Sequence, residues 1–340
     1  MNDALKLIGL TKKFPNGVTA VDNLTLTVPH GSVYGFLGRN GAGKTTALKM
    51  ITGLSNPTSG EIYIYGRKVE FGKPLSYNNI GFLPDVPEFY SFMTAREYLF
   101  LCGRLYKMSD GDIKKRIREI FELINFDVKR LRHKISTFSR GMKQKLGIAV
   151  ALLHSPDLIM LDEPTSALDP VGRKETINII NSLKEKVTVI FSTHILSDVE
   201  RVCDRIALID KGALILEGGI SEIKEKKSGL SSTLLIEAAG NDGNFADFIS
   251  SVKKSDFMTY INHENIDKDC IKILFKISDR KRTGEELPKI IYENGLSLVR
   301  FEFEDANLED IFISATSTQS EQSEQSKQSE SNLNKSQGGV

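Results

Sequence analysis

The sequence predicts an α/β fold, and three observations predict it. Short, continuously apolar runs at 158–161 and 187–191 have the composition of parallel strands covered on both faces. Segments of helical period alternate with them through residues 1–220. A glycine-rich loop, Gly38-Arg39-Asn40-Gly41-Ala42-Gly43-Lys44-Thr45, stands between a strand-like run at 32–37 and a helix-like run at 46–51.

In chain order, residues 23–28 and 61–65 alternate polar and apolar with period two, as antiparallel strands with one wet face do. The glycines of 38–45 let the backbone turn tightly, so that successive N–H groups point at one place where phosphate oxygens can accept them. Lys44 adds a mobile positive charge for β- and γ-phosphates, and Thr45 offers a hydroxyl to Mg²⁺. The helix that follows faces the anion with its N-terminal dipole. This is a P-loop, and the core reads as that of a P-loop NTPase. Gly38, Asn40, Gly41, Ala42, Gly43, Lys44, Thr45 and Thr46 form its expected nucleotide-binding set. Between 94 and 155 the period changes to 3.6: Thr94 and Glu97 make a capping box, and Ile113, Ile117, Ile120, Phe121 and Ile124 share a helical face. This stretch is a helical subdomain inserted in the α/β core. The run at 158–161 then delivers Asp162 and Glu163 to the carboxyl end of a buried strand. A carboxylate there holds Mg²⁺, and a second one beside it is placed to deprotonate a water. Two adjacent acids also serve simply to cap the next helix.

A second, smaller α+β domain is expected at 230–315. Strand-like segments at 233–237, 257–262, 271–277 and 298–303 enclose helix-like ones at 244–252 and 285–294. The order β-α-β-β-α-β is that of a ferredoxin-like module. Residues 316–340 are almost entirely Ser, Gln, Glu, Asn and Lys, the composition of a disordered polar tail. A net charge of +1 with well-mixed signs argues against nucleic acid as a partner. The three cysteines, Cys102, Cys203 and Cys270, lack metal spacing and read as reduced cytosolic thiols. No secretory leader is expected. The longest apolar run, 146–153, is too short to cross a bilayer.

By these motifs the chain resembles the ATP-binding subunit of an ABC transporter, over residues 4–225. Residues 38–45 match that family's Walker A, 158–163 its Walker B with the catalytic glutamate, and 166–169 its D-loop, which contains Asp169. His194 matches the switch histidine, although a histidine ending a buried strand is as often a packed core residue. Residues 138–145 match the signature, normally close to Leu-Ser-Gly-Gly-Gln, with Arg140 and Met142 as departures. The resemblance implies a head-to-tail pair of such domains with two Mg-ATP sandwiched between them. Ser139 and Gly141 of one copy would then contact the γ-phosphate held by the other. It also places Phe14 where an aromatic stacks on adenine, with ordinary packing as the alternative. Asp85 stands where the family has a glutamine that touches Mg²⁺ and water. The aromatic segment 86–93 falls where a membrane subunit's coupling helix docks, or acts as a staple for the Thr94 helix. Glu163, His194 and Lys44 are the implied catalytic residues; Thr45, Asp85 and Asp162 are the implied metal ligands.

One nucleotide domain followed by a ferredoxin-like module looks most like ABC-2 exporters of drugs, antibiotics or lipids. The expected partners are an integral membrane permease and a second nucleotide-binding domain, at the cytoplasmic face of the membrane. A soluble ABC ATPase acting on ribosomes, DNA or protein assemblies is the competing reading. The chain shows no second P-loop, sustained heptads or basic patch that would favour it.

Overall fold

The computed structural model describes residues 3–71, 80–228, 232–253, 255–267, 270–304 and 312. The polar tail expected at 316–340 lies outside the described residues. The chain divides into two compact units, Met1–Ile220 and Ser221–Val340.

The first unit begins with β1 (Asp3–Lys13), β2 (Thr19–Pro29), β3 (Val33–Leu37), α1 (Lys44–Ile51), β4 (Ser59–Ile64), β5 (Arg67–Lys68) and β6 (Ile80–Leu83). A helical stretch follows with α2 (Ala95–Leu105), α3 (Asp110–Leu123) and α4 (Arg140–Leu152). The unit closes with β7 (Leu158–Leu161), α5 (Pro170–Ser182), β8 (Thr188–Thr193), α6 (Leu196–Val202), β9 (Arg205–Asp210) and β10 (Ala213–Gly219).

Period-two alternation along β1, β2 and β4 builds an antiparallel sheet in the order β2-β1-β4-β5. Its register sets Leu7 opposite Leu26 on one side and Ile62 on the other, which sends one face of all three strands into a shared core. The apolar runs build the second sheet, in the order β10-β9-β3-β8-β7-β6, parallel except for β10 against β9. Every residue of β3, β7 and β8 is buried, as parallel strands require when covered on both faces. β8 lies between β3 and β7, so the strand that feeds the glycine loop and the strand that ends in two acids flank a common neighbour.

The capping box at Thr94 is complete: Glu97 N–H donates to the threonine hydroxyl, and the Glu97 carboxylate accepts from Thr94 N–H. Ile113, Ile117, Ile120, Phe121 and Ile124 are all buried along α3 and its end. α4 packs onto β6 so closely that a Cβ at Gly147 would stand 2.4 Å from Leu83 Cδ1. Among the described residues no helix is long and apolar enough to cross a membrane.

The second unit holds α7 (Ile220–Ser228, its first residue belonging to the first unit), β11 (Ser232–Ala239), α8 (Asp242–Val252), β12 (Met258–Asp267), β13 (Cys270–Ile277), α9 (Arg280–Glu293) and β14 (Ser297–Glu304). Its four strands form a sheet in the order β12-β13-β11-β14, antiparallel at every pairing. Leu234, Ile236, Ile273 and Phe275 face Phe248 and Leu287 of the two helices in one core. Two boundaries of this unit differ from the sequence expectation by five residues. α9 starts at Arg280 rather than at 285, because Asp279 caps it by accepting from Arg282 N–H. β12 runs on to Asp267 rather than ending at 262, because β13 offers it partners along that whole length.

Candidate active site

The glycine loop leaves β3 with its backbone pressed against two neighbouring strand ends. A Cβ at Gly38 would stand 2.2 Å from Ile209 O, and one at Gly43 would stand 2.2 Å from Ala20 O. Gly43 also has φ +104°, a conformation for which glycine is the ordinary choice. It caps α1 without a side-chain acceptor, and the first turn of α1 carries no acid. The helix start therefore turns its amide groups toward the loop with nothing negative on its own first turn to neutralise them. Thr46 lies in that first turn.

Lys44 is 5 % exposed and folds back over the loop. Its Nζ donates to Gly38 O at 2.7 Å and Arg39 O at 3.1 Å, and lies 3.2 Å from Glu163 Oε1. On the other side of that carboxylate, His194 Nδ1 is 2.9 Å from Oε2. A carboxylate only accepts, so Nδ1 carries the proton and Nε2 is the nitrogen left for a further partner. Asp162 is buried; its Oδ1 accepts from Thr45 Oγ1 at 3.1 Å and from Ser192 Oγ at 2.6 Å. Ser192 Oγ in turn accepts from Glu163 N–H at 2.9 Å. Three adjacent strand ends thus converge: the loop after β3, Ser192 and His194 at the end of β8, and the acid pair after β7. Glu163 sits in the left-handed region at φ +46°, where the chain swings away from the line of β7.

The remaining site residues expected from the sequence gather elsewhere. Ser139 caps α4 by accepting from Met142 N–H at 3.3 Å, and Asp169 caps α5 by accepting from Gly172 N–H at 3.1 Å. Both line a cleft of about 570 Å³ with Arg140, Gly141, Ala167 and Leu168, and none of residues 38–46 lines it. A Cβ at Gly141 would meet nothing within 4 Å, so that backbone faces open space. Phe14 is 39 % exposed on the turn between β1 and β2, with Lys12 Nζ 5.4 Å from its ring centre. Asp85 is exposed two residues beyond β6, on the same strand-end side as Asp162, whose N–H donates to Leu83 O.

Comparison with known proteins identifies the family. The family described as ABC transporter matches residues 21–166. The bacitracin transport ATP-binding protein BcrA of Bacillus licheniformis is 36 % identical over 317 residues, covering 92 % of this chain and 97 % of that one. The chain belongs to the ATP-binding subunits of ABC transporters. This ABC subunit is also 30 % identical, over 306 residues, to the linearmycin resistance ATP-binding protein LnrL of Bacillus subtilis (strain 168), covering 90 % of this chain and 96 % of that one. Among solved structures, the dimeric bacterial ABC transporter cassette MJ0796 is 28 % identical with a TM-score of 0.59, covering 64 % of this chain and 98 % of that one. ABC subunits bind and hydrolyse ATP, and the P-loop, Asp162 and Glu163 are the groups of this ABC ATPase suited to that chemistry.

Sequence reasoning passed over Ser192, which joins both acids through one hydroxyl. Its signal is a polar residue inside a fully buried strand, where a hydroxyl needs a partner. It also passed over Thr165, Arg173 and Asp198, which bond to one another behind the site.

Proposed function

We propose that this ABC subunit is the ATP-hydrolysing motor of an exporter, working as a head-to-tail pair that drives a separate membrane permease from the cytoplasmic face. The observation that carries the pairing is the separation of its two ligand surfaces. Residues 38–46 gather at one place, while Ser139, Gly141 and Asp169 line another cleft that the P-loop does not reach. A second copy, turned about, would bring the Ser139 hydroxyl and the start of α4 onto the γ-phosphate held by Lys44. Phe14, exposed on the turn between β1 and β2, would take the adenine face. Export rather than uptake is supported by the likeness to proteins named for bacitracin transport and linearmycin resistance, and an antibiotic-like amphiphile is the substrate class we assign.

The residues fit Mg²⁺: Thr45 Oγ1 and Asp162 Oδ1 are hard oxygens already 3.1 Å apart, with Asp85 exposed on the same side. The ion would offset charge on the β- and γ-phosphates. In the chain itself, Lys44 exchanges its contact with Glu163 for phosphate oxygens, which frees Oε1 to take a proton from water. His194 holds Oε2 through Nδ1–H and keeps the carboxylate turned while Nε2 faces the phosphate. Residues 230–315 form an accessory α+β domain of ferredoxin-like strand order, supported by the order β12-β13-β11-β14.

The test is to tag the Glu163→Gln variant, load it with ATP, and purify it from detergent-solubilised membranes of its host. A polytopic membrane polypeptide at near one-to-one stoichiometry is the expected companion. Recovery of ribosomes or soluble proteins alone, from a variant that still pairs with ATP, would replace the exporter with a soluble ABC ATPase.

A further inference from the structure

Asp198 has no access to solvent and takes no part in the chemistry above. It sits in the first turn of α6, four residues after His194. A buried carboxylate persists only when its lone pairs are engaged, and these are. Thr165 Oγ1 donates to its Oδ2 at 2.7 Å, and Arg173 Nε donates to its Oδ1 at 2.8 Å. Arg173 Nη2 also donates to Ser197 Oγ at 2.7 Å. Thr165 is 2 % exposed and lies two residues beyond Glu163. Arg173 lies four residues beyond Asp169, to whose carbonyl its own N–H donates at 2.9 Å.

The segments after β7 and after β8 are therefore tied twice. The first tie, Glu163 to His194, belongs to the hydrolytic pair itself. The second, Thr165 to Asp198, is buried and has no reason to open. Arg173 extends it to α5, whose cap Asp169 lines the signature cleft.

We propose that Asp198 is a positioning residue for ATP hydrolysis: through Thr165 and Arg173 it holds the Glu163 turn and the His194 strand end at fixed offset, and registers both to the helix that lines the signature cleft. The inference rests on the reading of Glu163 and His194 as the hydrolytic pair. Catalytic groups must be held within about 0.5 Å of productive geometry, and a misplacement of about 1 Å costs on the order of a hundredfold in rate. A network serving only the fold would change melting and leave turnover per folded molecule alone.

Steady-state ATPase assays on the full-length protein separate the two roles. Thr165→Val keeps the side-chain volume and removes only the hydroxyl; Thr165→Ser keeps the hydroxyl. Thr165→Val is expected to lower kcat roughly tenfold to a hundredfold, with KM and ATP affinity held within about a factor of two. Thr165→Ser is expected to stay near the parent, and Asp198→Asn to follow Thr165→Val. Unchanged kcat in Thr165→Val, whatever its melting temperature, overturns the proposal. So does a Thr165→Ser variant as slow as Thr165→Val. Glu163→Gln in the same assay tests the underlying reading separately. If it is inactive while Thr165→Val is normal, only the positioning role falls; if it turns over normally, the hydrolytic pair itself is wrongly assigned.

Discussion

Lys44 and His194 hold opposite oxygens of one carboxylate, and each contact has a different fate when nucleotide arrives. Glu163→Gln keeps the shape and the acceptor carbonyl but loses the basic oxygen. It is expected to lower kcat by at least about a hundredfold, the usual worth of a general base, while ATP affinity measured by equilibrium titration is retained. A second residue carries a pH signature unrelated to turnover. His154 stacks on Tyr106 at 3.9 Å between ring centres and has Nε2 3.1 Å from Ile80 O, while its buried Nδ1 has no partner among the described residues. Burial holds its pKa below the ordinary value, despite the Ile80 carbonyl; Arg116 pushes in the same direction as burial. The unfolded chain therefore binds the proton more tightly than the folded one. Stability from this group is whole above about pH 6.5 and is lost as pH falls below it toward the folded-state pKa. In urea unfolding across pH 5 to 8, roughly the histidine range, His154→Gln is expected to flatten that part of the parent's slope. Equal slopes in the two proteins would assign the dependence to other groups.

At the scale of elements, the glycine loop offers a graded test. Gly41 and Gly43 both have positive φ, but a Cβ at Gly41 meets open space whereas one at Gly43 meets Ala20 O at 2.2 Å. Gly41→Ala is expected to cost only the left-handed strain, about 1–2 kcal/mol. Gly43→Ala adds a backbone collision and is expected to lose ATP binding as well as stability, read by calorimetric titration and melting. This loop was legible in the sequence because its chemistry is packed into eight consecutive residues between a strand and a helix. The acids after β7, the capping box of α2 and the buried face of α3 were legible for the same local reason. Ser192, Arg173 and Asp198 were not: their partners lie about 25 to 33 positions away, and no local periodicity records a pairing across the sheet. The start of α9 was misplaced because Gly284 weighs against a helix locally and the charged Arg280-Lys281-Arg282 before it carries no apolar signal. The Asp279 cap and the buried side chains of Thr283, Leu287 and Ile291 outweigh them in the fold.

For the whole molecule, the division after Ile220 leaves every site residue, from Phe14 to His194, in the first unit. A protein comprising residues 1–220 is therefore expected to bind ATP with affinity close to that of the full chain. A loss of more than about tenfold, or 1.4 kcal/mol, would mean that the second unit contributes to the nucleotide site. The separation of the P-loop from the Ser139 and Asp169 cleft carries a further expectation. Glu163→Gln with ATP should elute as a dimer in size-exclusion chromatography and return to monomer when nucleotide is removed. Arg140→Glu, which reverses charge at the cleft, should elute as monomer in the same background.

The place of β8 between β3 and β7 has a bearing on transplanting this chemistry to another scaffold. A grafted glycine loop would arrive with its lysine but without the hydroxyl and imidazole that the intervening strand contributes from its end. What has to be copied is a palisade of three neighbouring strand tips, cut to matching heights. A host sheet whose middle strand is one residue short would present its serine and histidine to the wrong face, and would bind phosphate without ever cleaving it.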